Sequence, residues 1–215
     1  NCAITVALTK DETSQTTFVG GIMGDYYIAA EDAAVTTVTL SNNTNNSAIS
    51  LTGETGALVG VSGIVARLYY CTPELTNCAN NGSVSAELSA SIEFHVTGIL
   101  GRYSAVAGYN LTATNCHNSG KISANITAAN TTNAYSSVGG CFGFFQNIGG
   151  GLFTIDNCDN SANIEVKATT SITNQLHIGG LAAQLGANAP VTESVNRGTV
   201  DYDITKIENL AVSCR

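Results

Sequence analysis

The amino-acid sequence predicts an all-β fold, a parallel solenoid of about five stacked coils. Two short motifs recur in a fixed order along the chain, and alternating apolar and polar residues follow each second motif. The composition agrees, because β-branched residues are abundant and the chain has 22 glycines but only 2 prolines. This combination favours strands and tight turns over helices.

The first motif reads Val, a small residue, Gly, an aliphatic residue, any residue, then Gly or Ala. Its glycines recur at intervals of 35 to 42 residues. Variable intervals between motifs in a fixed order are typical of loops of different length joining equivalent strands. The five copies begin at Val19, Val61, Val96, Val138 and Ile178.

The second motif is an asparagine-rich turn, and it predicts a ladder of side-chain amides. Identical amides on neighbouring coils would lie about 4.8 Å apart along the stack. The apolar residue four positions after each asparagine starts an alternation typical of a half-buried strand. The ladder positions are Asn45, Asn80, Asn118, Asn160 and Asn196.

The chain is predicted to be a single solenoid domain over 1–215, with the five repeats at 18–204. Apolar residues also alternate with other residues at both ends, within 1–17 and 205–215, and this indicates one further strand at each end. Such strands either cap the first and last coils or pair with a neighbouring subunit by strand addition. The candidate subunit contacts are Cys2, Ile4, Val6, Leu8, Leu210, Val212 and Cys214.

Composition and charge exclude several classes of function. The 16 acidic and 8 basic residues give a formal charge of −8, which offers no electrostatic footprint for nucleic acid. No apolar run approaches the roughly 18 residues of a membrane span, so membrane insertion is not expected. Only 11% of residues are charged, and a solenoid explains this scarcity. Stacked identical charges would repel one another at about 4.8 Å.

Seven cysteines favour an exported protein. Cys71 and Cys78 bracket a six-residue segment and are predicted to form a loop-closing disulfide. Cys78, Cys116 and Cys158 share one column, where an inter-coil disulfide and a stack of reduced thiols are both open. Cys141 occupies an apolar column and is predicted to be a buried hydrophobe. No Cys-x-x-Cys pair occurs, so neither a metal site nor another cofactor is predicted.

Six Asn-x-Ser/Thr sequons occur, about as many as this composition would produce by chance. They become candidate N-glycosylation sites if the protein is exported in a eukaryote. The sixth sequon, at Asn45, coincides with the predicted ladder. The five candidate sites are Asn42, Asn81, Asn110, Asn125 and Asn130.

The sequence predicts no catalytic residues. The best carboxylate pairs for glycoside hydrolysis fit solvated turns and strand faces better than an active site. His95 and His177 share a column with Ser137 between them, but spacing alone assembles no Ser-His-acid group. The carboxylate pairs are Asp156 with Asp159 and Asp201 with Asp203.

The two motifs together resemble the GLUG-type repeat of large microbial surface proteins. The resemblance spans about residues 18–204, and five ordered copies carry it. It implies a right-handed parallel β-helix in an extracellular or cell-surface protein with adhesive or structural roles, and it brings no catalytic residues. Glu193 and Ser194 replace Asn-Cys in the last copy, as expected of a coil that caps the stack.

The function expected from these observations is a non-enzymatic, secreted or cell-surface structural or adhesive solenoid, either a surface module or a fibre subunit. Its partners would be further copies of itself, through strand addition or end stacking, or surface glycans. A carbohydrate-active β-helix enzyme is the first alternative. The second is a glycan-binding module that uses exposed tyrosines, namely Tyr26, Tyr27, Tyr69 and Tyr70.

Overall fold

The computed structural model describes residues 3–8, 16–28, 36–54, 58–90, 93–105, 109–127, 135–147, 150–186 and 188–213. These residues form strands and turns, and every strand pairing among them is parallel. The predicted all-β parallel solenoid is therefore confirmed. Within the described ranges, no helix is long and apolar enough to cross a membrane.

Three of the four sheets contain five strands, one from each coil. From the first strand of such a sheet to the fifth, the chain completes about four turns. Sheet B consists of β3 (Met23–Tyr27), β8 (Val65–Tyr69), β13 (Leu100–Ala105), β18 (Phe142–Asn147) and β22 (Ala182–Gln184). Sheet C consists of β4 (Thr37–Ser41), β9 (Thr72–Thr76), β14 (Leu111–Thr114), β19 (Phe153–Asp156) and β23 (Val191–Thr192). Sheet D consists of β5 (Thr44–Asn45), β10 (Ala79–Asn80), β15 (His117–Asn118), β20 (Asp159–Asn160) and β24 (Val195–Asn196).

Sheet A has two arms joined through the long strand β21 (Ile164–Gly179). The last strand, β25 (Val200–Ser213), pairs with β21 along both arms. The first arm contains β1 (Ile4–Leu8), β6 (Ile49–Glu54), β11 (Val84–Ala90) and β16 (Ile122–Ile126). The second arm contains β2 (Thr17–Gly20), β7 (Leu58–Ser62), β12 (Glu93–Thr97) and β17 (Tyr135–Gly139).

The apolar interior is divided into two clusters. One lies between the two arms of sheet A, and the other is enclosed by sheets B and C with the adjoining corners. In the second coil, Gly63 separates Val61 of the first cluster from Ile64 of the second. A Cβ built on Gly63 would lie 2.2 Å from Cγ of Asn80. The asparagine column therefore packs against the glycine corner, at the boundary between the two clusters.

The five asparagines of the second motif form one ladder along the stack. The Nδ2 of Asn118 donates to Oδ1 of Asn160 at 2.7 Å and to the carbonyl oxygen of Gly120 at 3.0 Å. The other rungs have the same direction, from each coil to the next, with N···O distances of 2.7–2.8 Å. Asn80, Asn118 and Asn160 are fully buried. The two apolar clusters are thus separated by a continuous chain of side-chain hydrogen bonds.

A second, exposed asparagine ladder runs along the preceding turn, and sequence analysis missed it. Each of its residues has a positive φ of 48–58°, a region in which asparagine is tolerated better than most side chains. From the second coil to the fourth, each side chain donates to the one in the preceding coil at 2.7–3.1 Å. The available signal was the first asparagine of each second motif. The members are Asn42, Asn77, Asn115 and Asn157, and Glu193 adopts the same turn geometry in the last coil.

The terminal strands both pair within their own chain. Ile4 of β1 aligns with Ile49 of β6, and Leu210 of β25 aligns with Leu176 of β21. Each terminal strand therefore pairs with one coil of its own chain and keeps its other edge unpaired among the described residues, so pairing of that edge with a neighbouring subunit stays a prediction. The candidate contacts Ile4, Val6 and Leu8 pack against the chain's own apolar cluster, Val212 aligns with Ile178, and Cys2 and Cys214 lie outside the described residues.

The predicted disulfide between Cys71 and Cys78 is wrong, because both residues are free thiols. The segment between them is the extended strand β9, not a loop. The four residue steps within β9, at about 3.3 Å each, separate Thr72 from Thr76 by roughly 13 Å, whereas a disulfide requires about 4.4–6.8 Å between its Cα atoms. The alternation of Pro73 and Leu75 toward the interior is the sequence signal that marks this segment as a strand.

The cysteine column is a stack of buried free thiols. Cys78, Cys116 and Cys158 are each 0% exposed and lie beside one another in register. Burial of Cys141, which is also free, raises its thiol pKa well above the ordinary value. In the last coil Ser194 replaces cysteine, and its Oγ accepts the backbone N–H of Cys158 at 3.0 Å. The column thus continues as polar contacts to the end of the stack.

Candidate functional site

The second arm of sheet A and sheet B meet at a corner where ion pairs of two arginines lie beside stacked aromatic rings. We call the outer surface of this corner the corner strip, and three columns of residues in register form it. The inner column is Phe18, Gly60, His95, Ser137 and His177. The middle column is Asp25, Arg67, Arg102, Phe144 and Gln184. The outer column is Tyr27, Tyr69, Ser104 and Gln146.

The centre of the strip contains a serine, a histidine and a glutamate in one hydrogen-bonded chain. His95 Nδ1 lies 2.7 Å from Ser137 Oγ, and His95 Nε2 lies 2.8 Å from Glu93 Oε1. Arg102 Nη1 lies 3.2 Å from the same Glu93 oxygen. Burial lowers the pKa of His95 and so favours the neutral imidazole. Burial also opposes ionisation of Glu93, but the hydrogen bond with His95 and nearby positive charge outweigh it and lower the pKa of Glu93.

This arrangement resembles a catalytic triad in its connectivity but not in its accessibility. A serine nucleophile must reach a substrate carbonyl, whereas Ser137 and His95 are both 0% exposed. The Phe144 ring stacks on the imidazole of His95, with centroids 5.5 Å apart. A Cβ on the adjacent Gly143 would lie 2.9 Å from Ser137 Oγ, which shows how tightly the hydroxyl is enclosed. The chain of hydrogen bonds therefore satisfies buried polar groups.

The first two coils of the strip carry three tyrosines, Tyr27, Tyr69 and Tyr70, which we call the tyrosine patch. The rings of Tyr27 and Tyr69 stack at 5.1 Å with an interplanar angle of 15°, and those of Tyr69 and Tyr70 lie 4.1 Å apart. Tyr27 is 56% exposed. Of the four tyrosines expected to be exposed, only Tyr27 is exposed. Tyr69 and Tyr70 are half-buried, and Tyr26 packs against the apolar cluster of sheets B and C.

Arg67 lies at the centre of the tyrosine patch. Its guanidinium donates from Nε and Nη2 to the two carboxylate oxygens of Asp25 at 2.8 and 2.6 Å. The same group lies 4.1 Å from the ring centroid of Phe18 and 5.3 Å from that of Tyr27. A bidentate pair with aromatic contacts restricts the guanidinium to one plane, so the patch is preorganised.

Three buried polar atoms on the strip lack a hydrogen-bond partner: Arg102 Nε, His177 Nε2 and Gln184 Oε1. They belong to the inner and middle columns, in the third and fifth coils. An unpartnered buried polar group costs free energy, about 1–3 kcal/mol each. The strip thus has hydrogen-bonding capacity that its own side chains leave unused.

The two predicted carboxylate pairs lie in different parts of the stack. Asp156 accepts a hydrogen bond from Thr192, and Asp159 contacts His117 and, at 3.0 Å, Arg197. In the last coil an open groove of about 300 Å³ runs along the first residues of β21 and β25. Its lining residues are Glu165, Val166, Lys167, Asp201, Tyr202 and Asp203. Within the described ranges, no three His, Cys, Asp or Glu side chains are grouped to hold a metal ion.

Three of the candidate glycosylation sites are exposed, Asn42, Asn81 and Asn110, and Asn125 is half-buried on β16. Asn42 and Asn81 take part in hydrogen bonds between coils, and Asn110 Oδ1 accepts the backbone N–H of Leu152 at 2.9 Å. Asn130 lies outside the described residues.

Comparison with known proteins adds no relative: no family model, curated protein or solved structure matches the chain.

Proposed function

We propose that the chain is a non-enzymatic structural or adhesive module of the cell exterior, a segment of a surface protein or a subunit of a surface fibre, whose two ends accept further coils. The observation that carries this proposal is the direction of the asparagine ladder. Every rung donates from one coil to the next. The stack therefore has an acceptor end at Asn45 and a donor end at Asn196.

The edges of the stack support growth at both ends. Among the described residues, β1 to β5 pair on one side only, and so do β22 to β25. Side chains of inward-facing columns are correspondingly exposed in the end coils, with Ile22 at 44%, Val191 at 42% and Tyr202 at 51%. The same columns are buried in the middle coils, for example at Leu51, in register with Tyr202 through the stack.

These features fit a second copy stacked head to tail. In such an assembly Tyr202 would lie beside Val6 of the next copy, and Asn196 would donate to the next Asn45. A head-to-tail contact joins two different surfaces, so each added copy leaves a free surface for the next. Such contacts generate filaments when the rotation between copies does not close a ring. Unpaired strand edges with exposed apolar columns favour this association.

The non-enzymatic part of the proposal is supported by the enclosure of the serine and histidine of the strip. Its extracellular part rests on the resemblance of the repeats to surface proteins and on a polar composition with only 11% charged residues. A carbohydrate-active enzyme would require accessible paired carboxylates. The carboxylates of Asp156 and Asp159 have local partners, and Asp201 of the second pair, which lines the open groove, accepts a hydrogen bond from Thr199.

Light scattering coupled to size-exclusion chromatography, with negative-stain electron microscopy, tests the proposal on the purified chain. We expect concentration-dependent species in multiples of 22.1 kDa and rods of constant width. Tyr202→Asp places a charge in the end face and should leave a monomer. Tyr135→Asp changes a tyrosine that is 40% exposed but away from the ends, so it should assemble normally. A monomer at every concentration, or equal loss in both variants, would contradict the proposal.

A further inference from the structure

We propose that the tyrosine patch and the adjoining corner strip bind a neutral oligosaccharide. This inference deepens the adhesive part of the proposed function and rests on it, since it names the class of ligand to which the module would adhere.

The exposed aromatic surface is the first observation. Tyr27 is more exposed than any other large hydrophobic residue among those described, at 56%. Its ring is not free to rotate away, because it stacks on Tyr69 at 15° and lies within 5.3 Å of the Arg67 guanidinium. A rigid, exposed aromatic group presents apolar area at low entropic cost. The C–H face of a pyranose ring is the kind of surface that such a group accommodates.

The backbone at Tyr70 is the second observation. Its φ of 52° lies in the left-handed region, which is unfavourable for a bulky side chain. The conformation directs the phenol against its neighbour, where Tyr69 donates a hydrogen bond to the Tyr70 hydroxyl at 3.3 Å. The other positions with positive φ among the described residues carry Asn, Gly or Glu. Strain of this kind concentrates at functional sites.

The charge of the strip favours a neutral ligand. Arg67 is paired with Asp25 and Arg102 with Glu93, so the two cations are matched by two carboxylates. The bidentate bond to Asp25 occupies two of the five N–H donors of Arg67. Such paired, planar polar groups beside aromatic rings suit the adjacent hydroxyl groups of a sugar. A phosphate or sulfate would have to displace the Asp25 carboxylate from Arg67.

The length of the strip favours an oligosaccharide over a single sugar. Equivalent positions repeat once per coil, at about 4.8 Å, over four intervals, a length of roughly 19 Å. Beyond the patch, the outer column continues with the half-buried amide of Gln146, which accepts a hydrogen bond from the buried Ser104 hydroxyl at 3.3 Å. Sugar hydroxyls, which both donate and accept, are suited to such groups.

Titration with neutral hexasaccharides tests the inference. The probes are hexamers of β-linked glucose, α-linked glucose and N-acetylglucosamine, added to the monomer in separate experiments. The chain has 8 tyrosines and no tryptophan, so tyrosine fluorescence reports on the patch, and calorimetry provides an independent measurement. We expect saturable binding of at least one hexamer, with Tyr27→Ala weakening it at least about tenfold, or about 1.4 kcal/mol. The matched control, Tyr202→Ala, removes a comparably exposed tyrosine from the end face and should bind normally.

A second variant separates binding from folding. Tyr70→Asn removes the phenol but keeps a residue that tolerates the φ of 52°, so it should leave the denaturation midpoint nearly unchanged while weakening oligosaccharide binding. A structural role for Tyr70 alone would not combine these two effects. Absence of binding by all three hexamers, binding unaffected by Tyr27→Ala, or preference for a sulfated glycan or a proline-rich peptide would overturn the inference. Failure here leaves end-to-end assembly untouched, and failure of assembly leaves binding measurable on the monomer.

Discussion

Gly98 and Asn118 belong to different sequence motifs and touch across the solenoid. A Cβ placed on Gly98 would lie 2.4 Å from Cγ of Asn118 and 2.3 Å from the carbonyl oxygen of Gly140 in the next coil. The same relationship recurs in every coil at 2.2–2.9 Å. The two motifs therefore recur together because their residues are in contact, with glycine required on one side of the contact and asparagine on the other.

Gly98→Ala is expected to destabilise the fold by about 3 kcal/mol or more, because the added methyl group meets backbone as well as the ladder. The free energy of unfolding in urea measures the loss. Gly150→Ala is the control, since a Cβ there has nothing within 4 Å although its φ is 91°. Its cost should be limited to backbone strain. Equal losses in the two variants would contradict the contact.

Asn118→Leu should destabilise the protein by at least about 2 kcal/mol, because the side-chain Nδ2 of Asn80 and the side-chain Oδ1 of Asn160 both lose their buried partner. Chemical denaturation checks this value. Asn115→Gly in the exposed ladder should change stability by no more than about 0.5 kcal/mol, because glycine also tolerates the φ of 54°. A reversed order would mean that the exposed ladder carries the stability.

Alkaline pH should destabilise the fold through Cys71. Burial raises the pKa of this thiol to about 12. Between about pH 9 and pH 12 the unfolded chain has lost the proton that the folded chain retains, so stability falls by about 1.4 kcal/mol per pH unit. Cys71→Ala should reduce the slope of unfolding free energy against pH in this window. An unchanged slope would show that Cys71 does not titrate in this way.

Acid should destabilise the fold through His95. Burial lowers its pKa, so the unfolded chain takes up a proton below about pH 6.5 that the folded chain refuses. Stability is therefore complete above that pH and declines as the pH falls toward the folded pKa. His95→Gln should flatten the dependence between about pH 6.5 and pH 5. His177→Gln, which changes a half-buried histidine whose pKa is also lowered, should flatten it less.

The columns of the solenoid could be predicted from the sequence, because each is a property of one motif position repeated through the chain. The registers of Asn80 with Asn118 and of His95 with Ser137 follow directly from aligning the copies. The exposed ladder through Asn77 was available from the same alignment, since asparagine precedes cysteine in three copies.

The contacts of the corner strip could not be predicted in this way. Glu93 meets Arg102 and His95 meets Phe144 because two sheets meet at an angle that no motif spacing encodes. The disulfide prediction failed for a related reason. The closeness of Cys71 and Cys78 in sequence suggests a loop between them, whereas the alternating pattern of β9 predicts an extended strand that holds the two cysteines apart.

The measurement that tests the central claim most directly is scalar coupling across the ladder's hydrogen bonds, detected by NMR on the isotope-labelled chain. The stacked coils predict four correlations, each from the side-chain Nδ2 of one ladder asparagine to Cγ of the next, linking Asn45 through Asn196. These amide protons should also exchange slowly with solvent. Absence of the correlations, with exchange as fast as at the exposed Asn46, would contradict the ladder and the stack built on it.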